Sequence, residues 1–279
     1  MPIITRIDTD IRTHVATWRG AGERSVLVPT MGALHDGHLS LVDFAQDRAH
    51  RVIVSIFVNP TQFAEGEDFE DYPRTWERDI EMLRDKGVDA VYAPLSSVMY
   101  PERFATSVLV EGPALELETT YRPHFFRGVA TVVAKLILGV QPDIAVFGEK
   151  DYQQLLVIKR MVSDLQIPCR IDGAPTIRET DGLAMSSRNR YLSESERETA
   201  SKLNQTLQTC ATDIRGGKPR GSSLQEAAEY LSQSGFKVDY LELRNADTLK
   251  RVDDIKNEPL RLLVAAHLGT TRLIDNIAV

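Results

Sequence analysis

Cysteine is nearly absent. Cys169 and Cys210 are the only two in 279 residues, far apart in the chain and outside any CxxC pattern. Neither a disulfide framework nor a thiolate metal site is supported; each is expected to be a small buried hydrophobe. Long apolar runs are missing too. RVIVSIFV at 51–58 and VATVVAKLILGV at 129–140 are too short or too interrupted to span a bilayer, and the opening MPIITRIDTDIRTH has no signal-peptide core. A cytoplasmic protein without a membrane partner is expected. Positive charge is in deficit, with 33 Lys and Arg against 40 Asp and Glu for a net −7. That balance argues against a nucleic-acid partner and leaves any anionic ligand to a few placed residues. No internal repeat or low-complexity tract appears.

What is present is an ordinary balance for a folded chain, 42% hydrophobic and 26% charged, with length enough for two domains. Strand-like runs are SVLVPT at 25–30, RVIVSIFV at 51–58, DAVYAP at 89–94, SVLVE at 107–111, DIAVFG at 143–148 and PCRID at 168–172, with amphipathic helical stretches between most of them. The alternation predicts an α/β fold, a parallel sheet with helices on both faces. After about residue 180 the texture changes: a helix SESERETASKLNQTLQTCATDIRGG, a break at GGKPRGSS, a second helix, and strands KVDYLEL and RLLVAAHL. The predicted division is a Rossmann-like domain over 1–177 and a smaller C-terminal α+β lid domain over 178–279.

Ligands of such sheets bind outside the carboxyl ends of the strands, so the turns after residues 30, 58 and 148 matter most. The first is MGALHDGH. Gly32 and Gly37 allow close backbone approach, and a helix starting near Gly37 or His38 presents free N–H groups to an anion, with phosphate as the natural guest. His35 and His38 are placed to act as donors, protonated or in a suitable neutral tautomer. A histidine metal pair is the rival reading, without a third ligand nearby; a plain glycine turn with surface histidines is the other. In FGEKDYQQ, Gly148 gives backbone access, Lys150 a point charge, and Asp151 a helix cap or a ribose acceptor. LAMSSRNRYL supplies the hydroxyls of Ser186 and Ser187 and the fork of Arg188. FVNPTQF places the amides of Asn59 and Gln62 after an apolar strand, suited to hydroxyl or carboxylate groups.

Together these stretches resemble the pantothenate synthetase family, within the HxGH nucleotidyltransferase superfamily. MGALHDGH is similar to the HxGH signature and MSSRN to the mobile Lys-Met-Ser-Lys-Ser loop. FVNPTQF, DYPRTWERD, VFGEKDYQQ, DGLAMSSRN and the terminal LGTTRLIDN, in order over nearly the whole chain, narrow the match. The resemblance implies ATP-dependent condensation of (R)-pantoate with β-alanine through pantoyl adenylate, with Mg²⁺ carried by ATP, in a homodimer. It implies an ATP site of Met31, Gly32, Ala33, Leu34, His35, Asp36, Gly37, His38, Gly148, Glu149, Lys150, Asp151, Ile177, Met185, Ser186, Ser187 and Arg188. Catalysis falls to His38, His35, Lys150 and Arg188, with His38 as proton donor or phosphate stabiliser. Gln62 and Gln154 bind pantoate, and Gln62 also lies near β-alanine.

One segment departs from the pattern. Where the family usually has Arg-Pro-Gly-His-Phe, this chain has Arg122, Pro123, His124, Phe125 and Phe126. Arg122 stays a candidate substrate contact, while the usual imidazole is either lost or supplied by His124 from a shifted backbone. A related enzyme that adenylates a phosphate ester, or a nucleotide-binding regulator that has lost catalysis, remain alternatives. Asp68, Asp71 and Asp79 are acids near the second turn, expected to be solvated loop and cap residues.

Overall fold

Parallel strands buried on both faces must be apolar on both, and period-two alternation sends successive side chains to opposite layers. The computed structural model, which describes residues 1–63, 69–70, 72–252 and 257–279, has this organisation. Nine strands occur among the described residues: β1 (Ile3–Thr5), β2 (Ser25–Thr30), β3 (Arg51–Ile56), β4 (Ala90–Tyr92), β5 (Ile144–Gly148), β6 (Arg170–Ala174), β7 (Phe236–Asn245), β8 (Leu260–Leu268) and β9 (Thr271–Ala278). The first six form one parallel sheet in the order β1-β4-β3-β2-β5-β6. Leu27, Ile53 and Ala145 enter one core, together with Ile11, Ile137 and Leu155 from the helices Asp8–Gly20, Phe125–Val140 and Tyr152–Asp164. Their strand neighbours Val26, Val28, Val52, Val54 and Val146 face the other way, onto Val42 and Leu83 of the helices Asp36–Gln46 and Trp76–Asp85.

The strand order reverses at β2, with β3 on one side and β5 on the other. That switch point opens a crevice at the strand ends, and the turns after β2 and β5 both flank it. The chain then builds a second sheet, the antiparallel meander β7-β8-β9. The helices Lys202–Arg215 and Arg220–Gln233 cover it, with Leu203, Leu207 and Leu231 packed on Leu262 and Val264. Cys169 and Cys210 are free and buried. No helix among the described residues is long and apolar enough to cross a membrane.

Several elements differ from the sequence expectation. SVLVE at 107–111 is not a strand; Leu109 is exposed, Val110 is buried, and the Val108 N–H donates to Thr131 Oγ1 on the helix Phe125–Val140. Its alternation was real, but the segment lies along a helix, where no strand edge offers a ladder. The run 51–58 ends as a strand at Ile56, and the long helix of 193–217 is split at Ser201 into Glu194–Ala200 and Lys202–Arg215. Strand β9 occupies the terminal motif LGTTRLIDN, and β1 adds an edge that the sequence reading did not foresee.

Candidate active site

The turn after β2 is built on positive-φ backbone at Gly32 (φ 79°) and Ala33 (φ 51°). Such a turn leaves N–H groups that neither strand nor helix satisfies. Asp79, only 1% exposed, fills the need from the helix Trp76–Asp85. Its Oδ2 accepts the Ala33 N–H at 2.9 Å and its Oδ1 the Leu34 N–H at 3.0 Å, while Thr75 Oγ1 donates to Oδ1 at 2.9 Å. A Cβ on Gly32 would stand 3.0 Å from Asp79 Oδ2, so the glycine is also a matter of room. The expectation of a solvated acid at Asp79 is therefore corrected. Asp68 and Asp71 lie outside the described residues.

The helix Asp36–Gln46 starts one residue earlier than expected, and His35 caps it: the Gly37 N–H donates to His35 Nδ1 at 3.1 Å. An accepting Nδ1 places the proton of the neutral ring on Nε2. His38 lies beside it, ring centroids 4.1 Å apart and planes tilted by 46°, with its own Nδ1 buried and without a hydrogen-bond partner. Burial, and then the neighbouring Lys150, push His35 down to about 4. Burial, His35 and Lys150 push His38 down to about 3. Of the two forms open from the sequence, the structure selects neutral imidazoles, so fixed positive charge falls to other residues.

This has a measurable consequence. Both rings titrate near 6.5 when unfolded but lower when folded, so protons bind the unfolded chain first. The stability contribution is fully present above about pH 6.5 and is lost as pH falls toward about 4 and about 3. Ring ¹⁵N shifts of His35 and His38 are expected to stay at neutral-imidazole positions down to pH 5, and a midpoint near 6.5 for either ring would contradict the burial argument.

After β5, Lys150 is half-buried and its Nζ lies 3.8 Å from Asp151 Oδ1, a long contact. Asp151 makes no side-chain cap to the following helix, so of its two expected roles the cap is not the one seen. Glu149 turns away to Arg261, at 3.2 Å. In the third stretch, the Met185 N–H donates to the Ile177 carbonyl at 3.0 Å. Ser186 Oγ accepts the Arg188 N–H at 3.3 Å and shapes a short turn. Met185 Cβ would sit 3.2 Å from a Cβ on Gly37, so this loop packs directly on the first turn.

Asn59 is 1% exposed and committed inward. Its Oδ1 accepts from Tyr100 Oη at 2.7 Å and Thr61 Oγ1 at 3.0 Å, and its Nδ2 donates to Gln62 Oε1 at 3.2 Å and the Gly128 carbonyl at 3.3 Å. Asn59 thus supports the loop from within, while lining the cleft. Gln62 keeps Nε2 against the Met31 thioether at 3.0 Å, a weak acceptor that a carboxylate or hydroxyl displaces readily. The loop rests on Gly128, where any Cβ would overlap the Thr61 carbonyl.

Arg122 donates to the Gln62 carbonyl and to Glu118 Oε1, both at 3.1 Å, and lies 3.9 Å over the Phe125 ring. Phe125 lines the cleft, whereas His124 is exposed and outside its lining. His124 adopts φ −99°, ψ −4°, which any residue accepts. The usual imidazole is therefore absent from this wall, and the shifted-backbone alternative fails.

One cleft of about 810 Å³ gathers these segments. Of the expected residues, Met31, His35, Gly37, His38, Gln62 and Arg122 line it, as do Asn59, Gly148, Lys150, Asp151, Gln154, Ile177 and Met185 through Arg188. Gly32, Ala33 and Leu34 are instead the buried underside of the turn, Asp36 is exposed, and Glu149 faces Arg261. Sequence reasoning missed Asp79 and the contribution of β9, whose Arg272 also lines the cleft. Asp79 lay within the quoted DYPRTWERD, but nothing local marks which backbone a buried acid will meet.

A parallel sheet with a histidine-capped helix, a lysine turn and a Ser-Ser-Arg loop at its switch point defines a nucleotide-binding α/β enzyme of the nucleotidyltransferase type. The family model for pantoate-beta-alanine ligase matches residues 3–278. The chain is 53% identical to a pantothenate synthetase of Rhodopseudomonas palustris over 279 residues, all of this chain and 99% of that one. The crystal structure of pantothenate synthetase from Thermus thermophilus superposes with a TM-score of 0.92 at 45% identity, covering 99% of this chain and 98% of that one. That of a pantoate-beta-alanine ligase from Francisella tularensis, complexed with beta-gamma ATP and beta-alanine, gives 0.84 at 33% identity over 100% and 98%. The chain belongs to the pantoate–β-alanine ligase family and is a ligase.

Proposed function

We propose that the cleft joins pantoate to β-alanine in two steps, with roles divided among the residues above. The overall activity is that of the family: ATP-dependent condensation of (R)-pantoate with β-alanine to pantothenate, AMP and pyrophosphate. In the first step a pantoate carboxylate oxygen attacks the α-phosphorus of ATP, and the bond to pyrophosphate breaks. In the second, the β-alanine amine attacks the acyl carbon of pantoyl adenylate, and AMP leaves while the amine loses its proton. Carboxylate and polyphosphate repel each other, so positioning and preorganised positive charge are what the protein must supply. Lys150 and Arg188 provide the charge, and neutral His35 and His38 provide N–H donors that cost no deprotonation. The observation that carries the reading is the convergence of Lys150, Arg188, His38 and Gln62 on one cleft at the switch point. Mg²⁺ enters with ATP, in the phosphate- and water-rich coordination that ion favours.

Gln62 and Gln154 serve pantoate, with Arg122 holding the Gln62 backbone. A neutral amide suits this place, since a fixed cation would bind the carboxylate equally before and during attack and add nothing to the rate. Gln62→Ala is expected to raise the pantoate KM strongly with ATP binding nearly intact, and Arg188→Ala to weaken the handling of ATP. Calorimetric titration of each ligand, beside pantoate-dependent pyrophosphate release with β-alanine omitted, separates the two. Lost ATP affinity with normal use of pantoate in Gln62→Ala would refute the loop's assignment.

Residues 178–279 act as a lid over the domain of residues 1–177, a reading supported by Arg188 and Arg272 lining the same cleft as His38 and Lys150. A cytoplasmic location goes with charged, water-soluble substrates, and the net charge of −7 goes with the absence of a nucleic-acid partner. A homodimer is supported by Ile3, Ile4 and Ile7, which are 37%, 45% and 47% exposed at and just beyond edge strand β1. Sedimentation is expected to give twice the 31.2 kDa chain mass and a smaller value for Ile4→Lys; a monomer in both would reject the dimer.

A further inference from the structure

Strand β9 carries two consecutive buried polar residues, Asp275 and Asn276, each 3% exposed. Neighbours along a strand point to opposite faces, and these two engage different segments that lead to the cleft. Asp275 pairs bidentately with Arg178 at 2.7 and 2.9 Å, and Arg178 also donates to the Gly182 carbonyl at 3.0 Å, on the approach to the Met185–Arg188 loop. Asn276 reaches the other way. Its Nδ2 donates to the Glu149 carbonyl at 3.0 Å and the Lys150 carbonyl at 2.8 Å.

The amide has one orientation that satisfies its surroundings. Arg261 Nε donates to Asn276 Oδ1 at 2.7 Å, so the NH₂ group must face the two carbonyls. Arg261 is itself fixed, with its guanidinium 3.9 Å over the Tyr152 ring and 3.2 Å from Glu149 Oε2. The turn that presents Lys150 is thereby clamped by the second sheet, although Lys150 belongs to the first. A lysine on a flexible stem reaches a defined point only if its backbone is held.

We propose that Asn276 is a positioning residue for adenylation: by binding the carbonyls of Glu149 and Lys150 it fixes where the Lys150 ammonium meets the triphosphate. This rests on the phosphate-binding role given to Lys150 above. The clamp also explains why a strand of the second sheet buries the polar Asn276 side chain, which an isolated meander would leave without these partners.

The test is a double-mutant cycle on the full chain, reading pantoate-dependent pyrophosphate release with β-alanine omitted, together with melting temperature. Asn276→Ala is expected to lower kcat of this half-reaction by roughly ten- to a hundredfold, the scale of a misplaced catalytic group, with the pantoate KM little changed. Asn276→Asp, close to the native shape but without a donor for either carbonyl, is expected to lose as much. The double variant Lys150→Ala with Asn276→Ala is expected to be no slower than Lys150→Ala alone, because Asn276 acts through Lys150. A folded Asn276→Ala at full rate, or a double variant slowed by the product of the two single factors, overturns the proposal. A normal rate in Lys150→Ala would instead remove the phosphate role on which it rests. Should neither Asn276 variant fold, Arg261→Met, which withdraws the donor that orients the amide, is expected to lower the same kcat severalfold, and an unchanged rate there overturns the proposal as well.

Discussion

Replacing Lys150 with alanine is expected to slow pantoate-dependent pyrophosphate release by a factor of about 10²–10³, the scale of removing one preorganised donor at developing charge, or ~2.7–4 kcal/mol. The expectation follows from the charge inventory of the cleft. Both histidines are held neutral by burial and by Lys150 itself, with Arg190 a further cation acting on His35, so the positive charge of the cleft rests on lysine and arginine side chains, Lys150 and Arg188 among its lining. The melting temperature is expected to move little. The half-buried Lys150 side chain lies in the cleft lining with one long contact to Asp151, and truncating it leaves no core cavity. His38→Ala is expected to act in the same direction, through loss of a neutral N–H donor. Quenched-flow release of pyrophosphate, beside a thermal melt, checks both halves of the claim. A wild-type rate in Lys150→Ala would remove that residue from the mechanism.

Asp79→Ala is expected to cost about 2–4 kcal/mol of stability and to abolish ATP binding. Removing the carboxylate leaves the Ala33 and Leu34 N–H groups buried without acceptors, and each such group costs on the order of 1–3 kcal/mol. The turn that positions His35 and His38 then loses the contacts that hold its positive-φ conformation at Gly32 and Ala33. Asp79→Asn is expected to be intermediate, because an amide offers one acceptor where two N–H groups wait. Urea melts and ATP calorimetry on the two variants read the effects separately. Native stability in Asp79→Ala would mean that the turn is held by something other than this carboxylate.

Much of the fold was legible because its signal is local. SVLVPT, RVIVSIFV and DIAVFG are apolar on both faces, as parallel strands between two helical layers must be, and each became a strand within two residues of its expected ends. SVLVE shows the limit of the same signal. Alternation reports which side chains want burial, but not whether a strand edge is there to receive the backbone. The departure at His124 and Phe125 was visible as letters, yet its outcome was not. Only the placed helix start sends Phe125 to the cleft and His124 to solvent.

By itself the sequence determined the alternating α/β order, the sheet's central strands, and the turns that carry Gly37, His38, Lys150 and Arg188, because glycine, charge and periodicity act over a few residues. Tertiary structure alone decided the protonation of the histidine pair, since desolvation depends on what packs around a ring. It also decided that Asp79 is a buried brace for a turn 46 residues earlier, and that Asn276 grips the Lys150 backbone from 126 residues away. A buried polar group is satisfied by whichever partner the fold brings within about 3 Å, and that partner has no address in the local sequence.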